Sequence, residues 1–278
     1  MTQTKFLLDS CNPSETILAK DLLGDKLAGQ TTNPTLLIKN PAVQSMVSGG
    51  KIKESDLLNL YKNAIVEISD LIPNGSVSIE VYADENSTAQ DLLVQANEFY
   101  TWIPNAHIKF PTIKAGLEAA EIFVNNGGRV NMTLVFTQEQ ALAVHLATKN
   151  AKNKGDVFVS PFVGRLDDIG LKGMDLIANI VKMYTELDSK VSILSASLRS
   201  VEHLSECIAL KSDLTTGPLS MYQNYIANPN FVATSDTLLS PITYQNLVAT
   251  NWKDCNIQYD LTDKGLSKFV ADWKGVLL

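Results

Sequence analysis

The stretch Ala106-His107-Ile108-Lys109-Phe110-Pro111 sets a lysine within a short apolar run. Alternate side chains of a strand face opposite sides, so Ile108 and Phe110 share one face and His107 and Lys109 the other. A sheet that takes Ile and Phe on one side and Lys on the other has an apolar, helix-covered outside and a polar inside. Working outward, comparable runs recur at Lys5–Ser10, Leu27–Asn33, Ser76–Tyr82, Val130–Phe136, Asp156–Val163, Val191–Leu198 and Ser212–Thr216. Between them lie stretches of helical period. Leu58, Tyr61, Ile65, Ile68 and Ile72 step by three and four, as do Ile113, Leu117, Ala120 and Val124. Thr137 opens one helix with Gln138-Glu139 in its first turn, and Gly127-Gly128 closes the helix before it. Eight strands, each followed by a helix, predict an α/β fold, a parallel (β/α)8 TIM barrel. A doubly wound open sheet also alternates, but with fewer units and a Gly-rich first turn that is missing here. The whole chain, 1–278, reads as one barrel domain. Residues 228–278 form a C-terminal extension, packed on the barrel or on a neighbouring subunit, with a closing helix at Thr262–Leu278.

Parity assigns faces. The apolar set points outward: Phe6 and Leu8; Val77, Ile79 and Val81; Ile108 and Phe110; Met132 and Leu134; Val157 and Val159; Leu194, Ala196 and Leu198. The inward set then holds Asp9, Glu80, Lys109, Asn131, Thr133, Ser160, Ser195, Ser197 and Arg199. A barrel built only for stability would fill its interior with Val, Ile and Leu. Polar residues in the later half of their strands point instead to a catalytic cavity at the C-terminal strand ends.

Composition narrows the class. The chain has 278 residues, of which 45% are apolar and 19% charged, too apolar for disorder. Its longest apolar runs, such as Ala141–Val144, fall far short of a membrane span. A net charge of −7 with a pI near 5.0 argues against nucleic-acid binding. Cys11, Cys207 and Cys255 are dispersed and odd in number, and no leader-like apolar segment follows Met1. A cytoplasmic protein is therefore expected, without membrane or nucleic-acid partners.

Lys109 is the most informative position. An inward lysine cannot run its charged end out to water between the helices, and burial disfavours the ammonium, which suits a Schiff-base nucleophile. A buried ion pair with Asp9 or Glu80 is the structural alternative. Either carboxylate could instead move protons during imine chemistry. Lys114 falls at the start of the next helix. Only three of the 23 basic residues are Arg: Arg129, Arg165 and Arg199. Arg165 and Arg199 end strands, where such barrels bind phosphate, and a guanidinium fork fits phosphate well. Salt bridges to Asp167 or Asp168 would be the plain explanation, most readily for Arg165. There is no dinucleotide fingerprint, P-loop, zinc-protease motif or calcium loop. The histidines are scattered: His145 and His203 fall on helices as surface or packing residues, and His107 has at most an indirect role. No metal site and no cofactor are expected.

Seven motifs, one for each of the first seven strands, carry a resemblance to the transaldolases. They are Leu7-Leu8-Asp9-Ser10, Thr31-Thr32-Asn33-Pro34-Thr35-Leu36, Val77-Ser78-Ile79-Glu80-Val81, Ile108-Lys109-Phe110-Pro111, Asn131-Met132-Thr133-Leu134-Val135-Phe136, Ser160-Pro161-Phe162-Val163-Gly164-Arg165 and Ala196-Ser197-Leu198-Arg199. The resemblance implies a pentose phosphate pathway transferase. It would move a dihydroxyacetone unit from fructose 6-phosphate or sedoheptulose 7-phosphate to erythrose 4-phosphate or glyceraldehyde 3-phosphate. It also implies the roles. Lys109 forms the Schiff base and Asp9 handles the hydroxyl proton. Glu80 and Thr133 hold the catalytic water. Asn33, Asn131 and Ser160 grip the three-carbon unit. Arg165, Ser197 and Arg199 bind phosphate, and Phe162 lies at the substrate.

Departures accompany it. The barrel begins near residue 5, without the leading helix of the longer transaldolases, and Phe269-Val270-Ala271-Asp272-Trp273-Lys274-Gly275 resembles the tail of the short fructose-6-phosphate aldolase branch. A homo-oligomer is implied, as a dimer or a larger ring. Three alternatives stand beside the transferase. One is a fructose-6-phosphate aldolase-like enzyme. Another is an aldolase of the deoxyribose-phosphate type, whose Lys-Thr-Ser-Thr-Gly signature is missing. The last is a non-catalytic sugar-phosphate-binding barrel, which would tolerate losing Lys109 or Glu80.

Overall fold

The computed structural model describes residues 4–228 and 238–278. Eight strands occupy Lys5–Asp9 (β1), Leu27–Thr31 (β2), Ser76–Glu80 (β3), Ala106–Pro111 (β4), Val130–Val135 (β5), Val157–Pro161 (β6), Ser192–Ser195 (β7) and Leu214–Gly217 (β8). They pair in sequence order, all parallel, and β8 closes on β1. Every strand is therefore followed by a right-handed helical return, as the alternating pattern requires. The helices are Pro13–Leu23 (α1), Pro34–Ile38 (α2), Pro41–Val47 (α3), Glu54–Leu71 (α4), Ala89–Tyr100 (α5) and Lys114–Asn125 (α6). They continue with Gln138–Ala147 (α7), Val163–Asp167 (α8), Gly173–Glu186 (α9), Val201–Ala209 (α10), Leu219–Ala227 (α11) and Asp260–Gly275 (α12).

Local chemistry sets the ends. The β4 strand matches the expected Ala106–Pro111 at both ends. Most others stop one to three residues early, whereas β8 runs one residue past its expected end, to Gly217. Asn33 leaves β2 to accept the Leu36 N–H at the start of α2. Thr137 and Gln140 form a reciprocal capping box on α7. Proline opens α1, α2 and α3, where its missing N–H costs nothing. No helix among the described residues is long and apolar enough to cross a membrane.

The main core lies between strands and helices, where Val77, Ile79, Ile108, Phe110, Met132, Val157 and Val159 are buried. Inside the barrel, Leu7, Phe158 and Leu194 make an apolar floor. His107 stacks on Phe158 with ring centres 4.2 Å apart. Burial pushes its imidazole down to about 4, so it is neutral and two residues below Lys109.

The facing expected for Leu194, Ser195 and Ala196 is reversed, and Ala196 lines the cavity at the strand ends. Leu194 joins the interior floor, and Ser195 bonds the Ser212 hydroxyl at 2.8 Å on the helix side. The four-residue strand Ser192-Ile193-Leu194-Ser195 carries one serine and one aliphatic residue on each face, so hydropathy does not fix its parity. Past its end, Ser197 takes a left-handed φ of 57°.

The segment after 238 runs over the outside of the barrel. Gln138 exchanges hydrogen bonds with the Gln245 backbone, Asp175 accepts the Ile242 N–H, and Glu121 accepts the Trp252 indole N–H. Gln140 donates to Ile257 O and to the Thr262 hydroxyl. These bonds lead the chain into α12, which starts and ends slightly before the expected Thr262–Leu278. The helix then crosses the C-terminal mouth of the barrel. Thr262 donates to Leu134 O near its start, Asp272 accepts the Thr35 hydroxyl, and Ile52 bonds Val276 and Leu278 backbone beyond its end.

Candidate active site

Parallel register places Glu80 of β3 opposite Lys109 of β4, and Lys109 opposite Asn131 of β5. The Lys109 Nζ lies 2.8 Å from Glu80 Oε2 and donates to Thr32 O at 3.2 Å. Both side chains are sealed, at 5% and 3% exposure. Tyr61, from α4, fixes this corner: its hydroxyl accepts the Glu80 N–H at 3.0 Å and meets the Thr32 hydroxyl at 2.6 Å. Asp9 ends β1 and accepts the Thr31 hydroxyl at 2.8 Å. Thr31 in turn meets the Thr216 hydroxyl across the barrel seam.

Burial raises both carboxyl groups above their ordinary range. For Asp9 the upward push of desolvation is opposed by the charge of Lys109, the Thr31 bond and the charge of Lys39. For Glu80 it is opposed mainly by Lys109, through charge and hydrogen bond. Two buried carboxyl groups beside one amine form a set that can exchange protons near neutral pH.

Asn131 is held by its amide. Its Nδ2 donates to Ser78 Oγ at 3.0 Å, and its Oδ1 accepts from Ser160 Oγ at 2.7 Å. Thr133 is fully buried and its hydroxyl has no partner among the described residues. An orphaned buried hydroxyl is where a bound water or a substrate oxygen fits.

A cavity of about 210 Å³ opens at the C-terminal strand ends. Asp9, Asn33, Lys109, Ser160, Phe162, Arg165 and Ser197 all line it. Glu80 lies against it through Lys109, and Asn131 through Ser160. Arg165 sits between the rings of Phe162 and Phe269, 5.0 and 5.8 Å from their centres, with no ion pair among the described residues.

Arg199 is the exception. It does not point inward: its side chain is half exposed and both terminal nitrogens bind the two oxygens of Asp168. The salt bridge expected most readily for Arg165 belongs to Arg199. Arg199 shares the outer parity of Ser195 and runs along α8, where its Nε would meet any Cβ added to Gly164 at 2.6 Å. His203 stands behind it, accepting the Arg199 N–H and contacting Asp167.

Sequence reasoning missed Thr31, Thr35, Lys39, Thr216, Lys268 and Phe269, all of which line the cavity. Thr35 and Lys39 sit one turn apart on and just after α2, a spacing visible beside Asn33. Nothing in the spacing of Lys268 and Phe269 signals the cavity, because only the path of α12 brings them there. No group of three or more His, Cys, Asp or Glu among the described residues could hold a metal ion.

The family model described as Transaldolase/Fructose-6-phosphate aldolase matches residues 6–278. This chain belongs to that family. Three relatives named "Probable transaldolase" illustrate the distance. The Dehalococcoides mccartyi protein is 32% identical over 272 residues, covering 98% of this chain and 99% of that protein. The Cytophaga hutchinsonii protein is 35% identical over the same span and coverage. The Brucella ovis protein is 34% identical over 269 residues, covering 97% and 96%. Membership in the transaldolase/fructose-6-phosphate aldolase family makes the chain an enzyme of the transaldolase class, a transferase of carbohydrate metabolism. That retires the non-catalytic barrel.

Proposed function

We propose that this transaldolase-family enzyme transfers a dihydroxyacetone unit between sugar phosphates through a Schiff base on Lys109. The observation that carries the reading is the sealed Lys109–Glu80 pair beside Asp9, at the bottom of the cavity. The Lys109 amine attacks C2 of a ketose phosphate, and loss of water from the carbinolamine leaves the imine. Glu80 can take the ammonium proton beforehand, and with the unpartnered Thr133 hydroxyl it holds the water that forms and later cleaves the imine. Asp9 takes the proton of the C4 hydroxyl while the C3–C4 bond breaks, and its electrons pass into the imine. The aldose phosphate leaves. The three-carbon enamine then attacks an acceptor aldehyde, and Asp9 returns the proton to the new hydroxyl.

Asn33, Asn131 and Ser160 hold the hydroxyls of the three-carbon unit. Phe162 walls the site. Arg165 with Ser197 takes the phosphate, with Arg199 at the outer rim. Donors are fructose 6-phosphate or sedoheptulose 7-phosphate, and acceptors erythrose 4-phosphate or glyceraldehyde 3-phosphate.

Borohydride reduction with fructose 6-phosphate tests this, followed by peptide mass spectrometry. A three-carbon adduct on Lys109 is expected. Lys109→Arg keeps the charge without imine chemistry, so trapping and turnover should both vanish. An adduct on Lys114, or turnover that survives the substitution, would overturn the assignment.

A further inference from the structure

Four cationic side chains line the cavity, Lys39, Lys109, Arg165 and Lys268, against the single carboxylate of Asp9. Lys109 is engaged by Glu80. Arg199, the other arginine at this end, is held by Asp168 and does not line the cavity. That leaves Arg165, Lys39 and Lys268 to meet an anion.

The position of Lys268 is built in. It rides on α12, which is fixed at the mouth along its length. Gly265 lets the helix approach so closely that a Cβ there would lie 2.6 Å from both Arg165 Nη1 and Leu134 Cδ2. One turn beyond Lys268, Asp272 accepts the Thr35 hydroxyl, and the chain after α12 bonds to Ile52.

Lys268 pairs with Asp272 at 3.1 Å, and its side chain is 57% exposed. Asp272 is thus shared between Lys268 and Thr35, and Lys39 lies one turn after Thr35 on the same side of α2. Lys268 pairs with that carboxylate, and Lys39 lines the same cavity. An exposed i,i+4 pair holds weakly, whereas a phosphate dianion forms short, charge-assisted bonds to ammonium groups. A phosphate in the cavity can therefore draw Lys268 off Asp272.

We propose that Lys268, with Lys39, contacts the substrate phosphate alongside Arg165, so that the C-terminal helix is part of the specificity site. This rests on the sugar-phosphate reading above.

The test compares fructose 6-phosphate with unphosphorylated fructose as donor, using the full chain and one common acceptor aldehyde. Lys268→Gln should raise KM for fructose 6-phosphate about 10-fold or more and change kcat/KM for fructose less than about twofold. Lys268→Arg should restore most of the loss. Asp272→Asn can still accept the Thr35 hydroxyl but loses the charge that holds Lys268, and should lower KM for fructose 6-phosphate. Equal losses on both donors would make Lys268 a docking residue of α12 and overturn the inference, as would no effect on either. If the unsubstituted enzyme shows no preference for fructose 6-phosphate over fructose, the sugar-phosphate reading itself falls, whatever Lys268 does.

Discussion

Glu80 and Lys109 face each other in register on neighbouring strands, and their charged ends meet 2.8 Å apart with almost no access to water. The pair couples fold to chemistry. The same burial that raises the Glu80 carboxyl makes the Lys109 charge costly without it.

Truncating Glu80 should therefore cost stability as well as activity. Removing one member of a buried pair costs about 3–5 kcal/mol, and Asp9 nearby favours the lower end. Urea titration of Glu80→Ala should show a loss of about 3 kcal/mol, with a smaller loss for Glu80→Gln, which can still accept from the ammonium. An unchanged midpoint for the Ala variant would mean that Asp9 alone holds the charge.

Asp9 predicts a pH dependence of definite sign. Its folded value is raised above the ordinary 3.8 by burial, so the folded state holds that proton more tightly than the unfolded chain. The stability this contributes is full below about 3.8 and is lost as pH rises through the folded value. Asp9→Asn should flatten that decline. In the proposed reaction Asp9 is ionised when it takes the hydroxyl proton, so the acidic limb of the rate profile should lie above the usual Asp range. A limb at ordinary Asp values would contradict the role.

The barrel was legible because β3 and β4 alternate apolar and polar residues and the polar residues late in β1, β5 and β6 share their parity, so that Asp9, Glu80, Lys109, Asn131, Thr133 and Ser160 fall on the inner face. The β7 strand was not, because Ser192-Ile193-Leu194-Ser195 puts one serine and one aliphatic residue on each face, and Ser195 finds the Ser212 hydroxyl just before β8. Arg199 follows from the same reversal: with Leu194 and Ala196 turned inward, Ser195 and Arg199 share the outer parity. Lys268 was invisible for another reason: in isolation it reads as the solvated face of an amphipathic helix, and only the path of residues 238–259 over α6, α7 and α9 delivers that helix to the mouth.

The two arginines should differ in mutagenesis. Arg165 lines the cavity with no ion pair, so Arg165→Ala should forfeit a charge-assisted bond of about 1.5–3 kcal/mol, or roughly 10- to 150-fold in affinity for phosphorylated sugars. Arg199 is half exposed and already neutralised by Asp168. Arg199→Ala should weaken phosphate binding less than about tenfold. Inhibition constants for inorganic phosphate measure both, and the reverse order would show that Arg199 leaves Asp168 to bind substrate.

Gly265→Ala separates fold from site. In a helix interior this change ordinarily gains about 1 kcal/mol. The added Cβ would press on Arg165 Nη1 and Leu134 Cδ2, the movable ends of two side chains. The melting temperature should therefore hold or rise while KM for phosphorylated sugars increases. A drop in melting temperature with KM unchanged would show that the helix, not Arg165, yields.

In the proposed reaction, Phe162 should decide the fate of the three-carbon intermediate. After C–C cleavage the enamine either attacks an aldehyde or is protonated and released, according to how readily an acid reaches its carbon. Phe162 lines the cavity at 8% exposure, packed edge-on against Phe136 and over the Arg165 guanidinium, and its ring brings no hydroxyl. The fructose-6-phosphate aldolase branch that the chain resembles carries Tyr at this position and Gln at that of Glu80. With Phe162 and Glu80 in place, the intermediate should persist until an acceptor arrives. Fructose 6-phosphate alone should be cleaved slowly, and erythrose 4-phosphate should yield sedoheptulose 7-phosphate with ping-pong kinetics. Phe162→Tyr introduces a phenol, so the ratio of free dihydroxyacetone to transferred product should rise. Rapid release by the unsubstituted enzyme without any acceptor would assign it to the aldolase side of the family. An unchanged ratio in Phe162→Tyr would show that proton supply is controlled elsewhere, with the Glu80–Thr133 corner the next place to substitute.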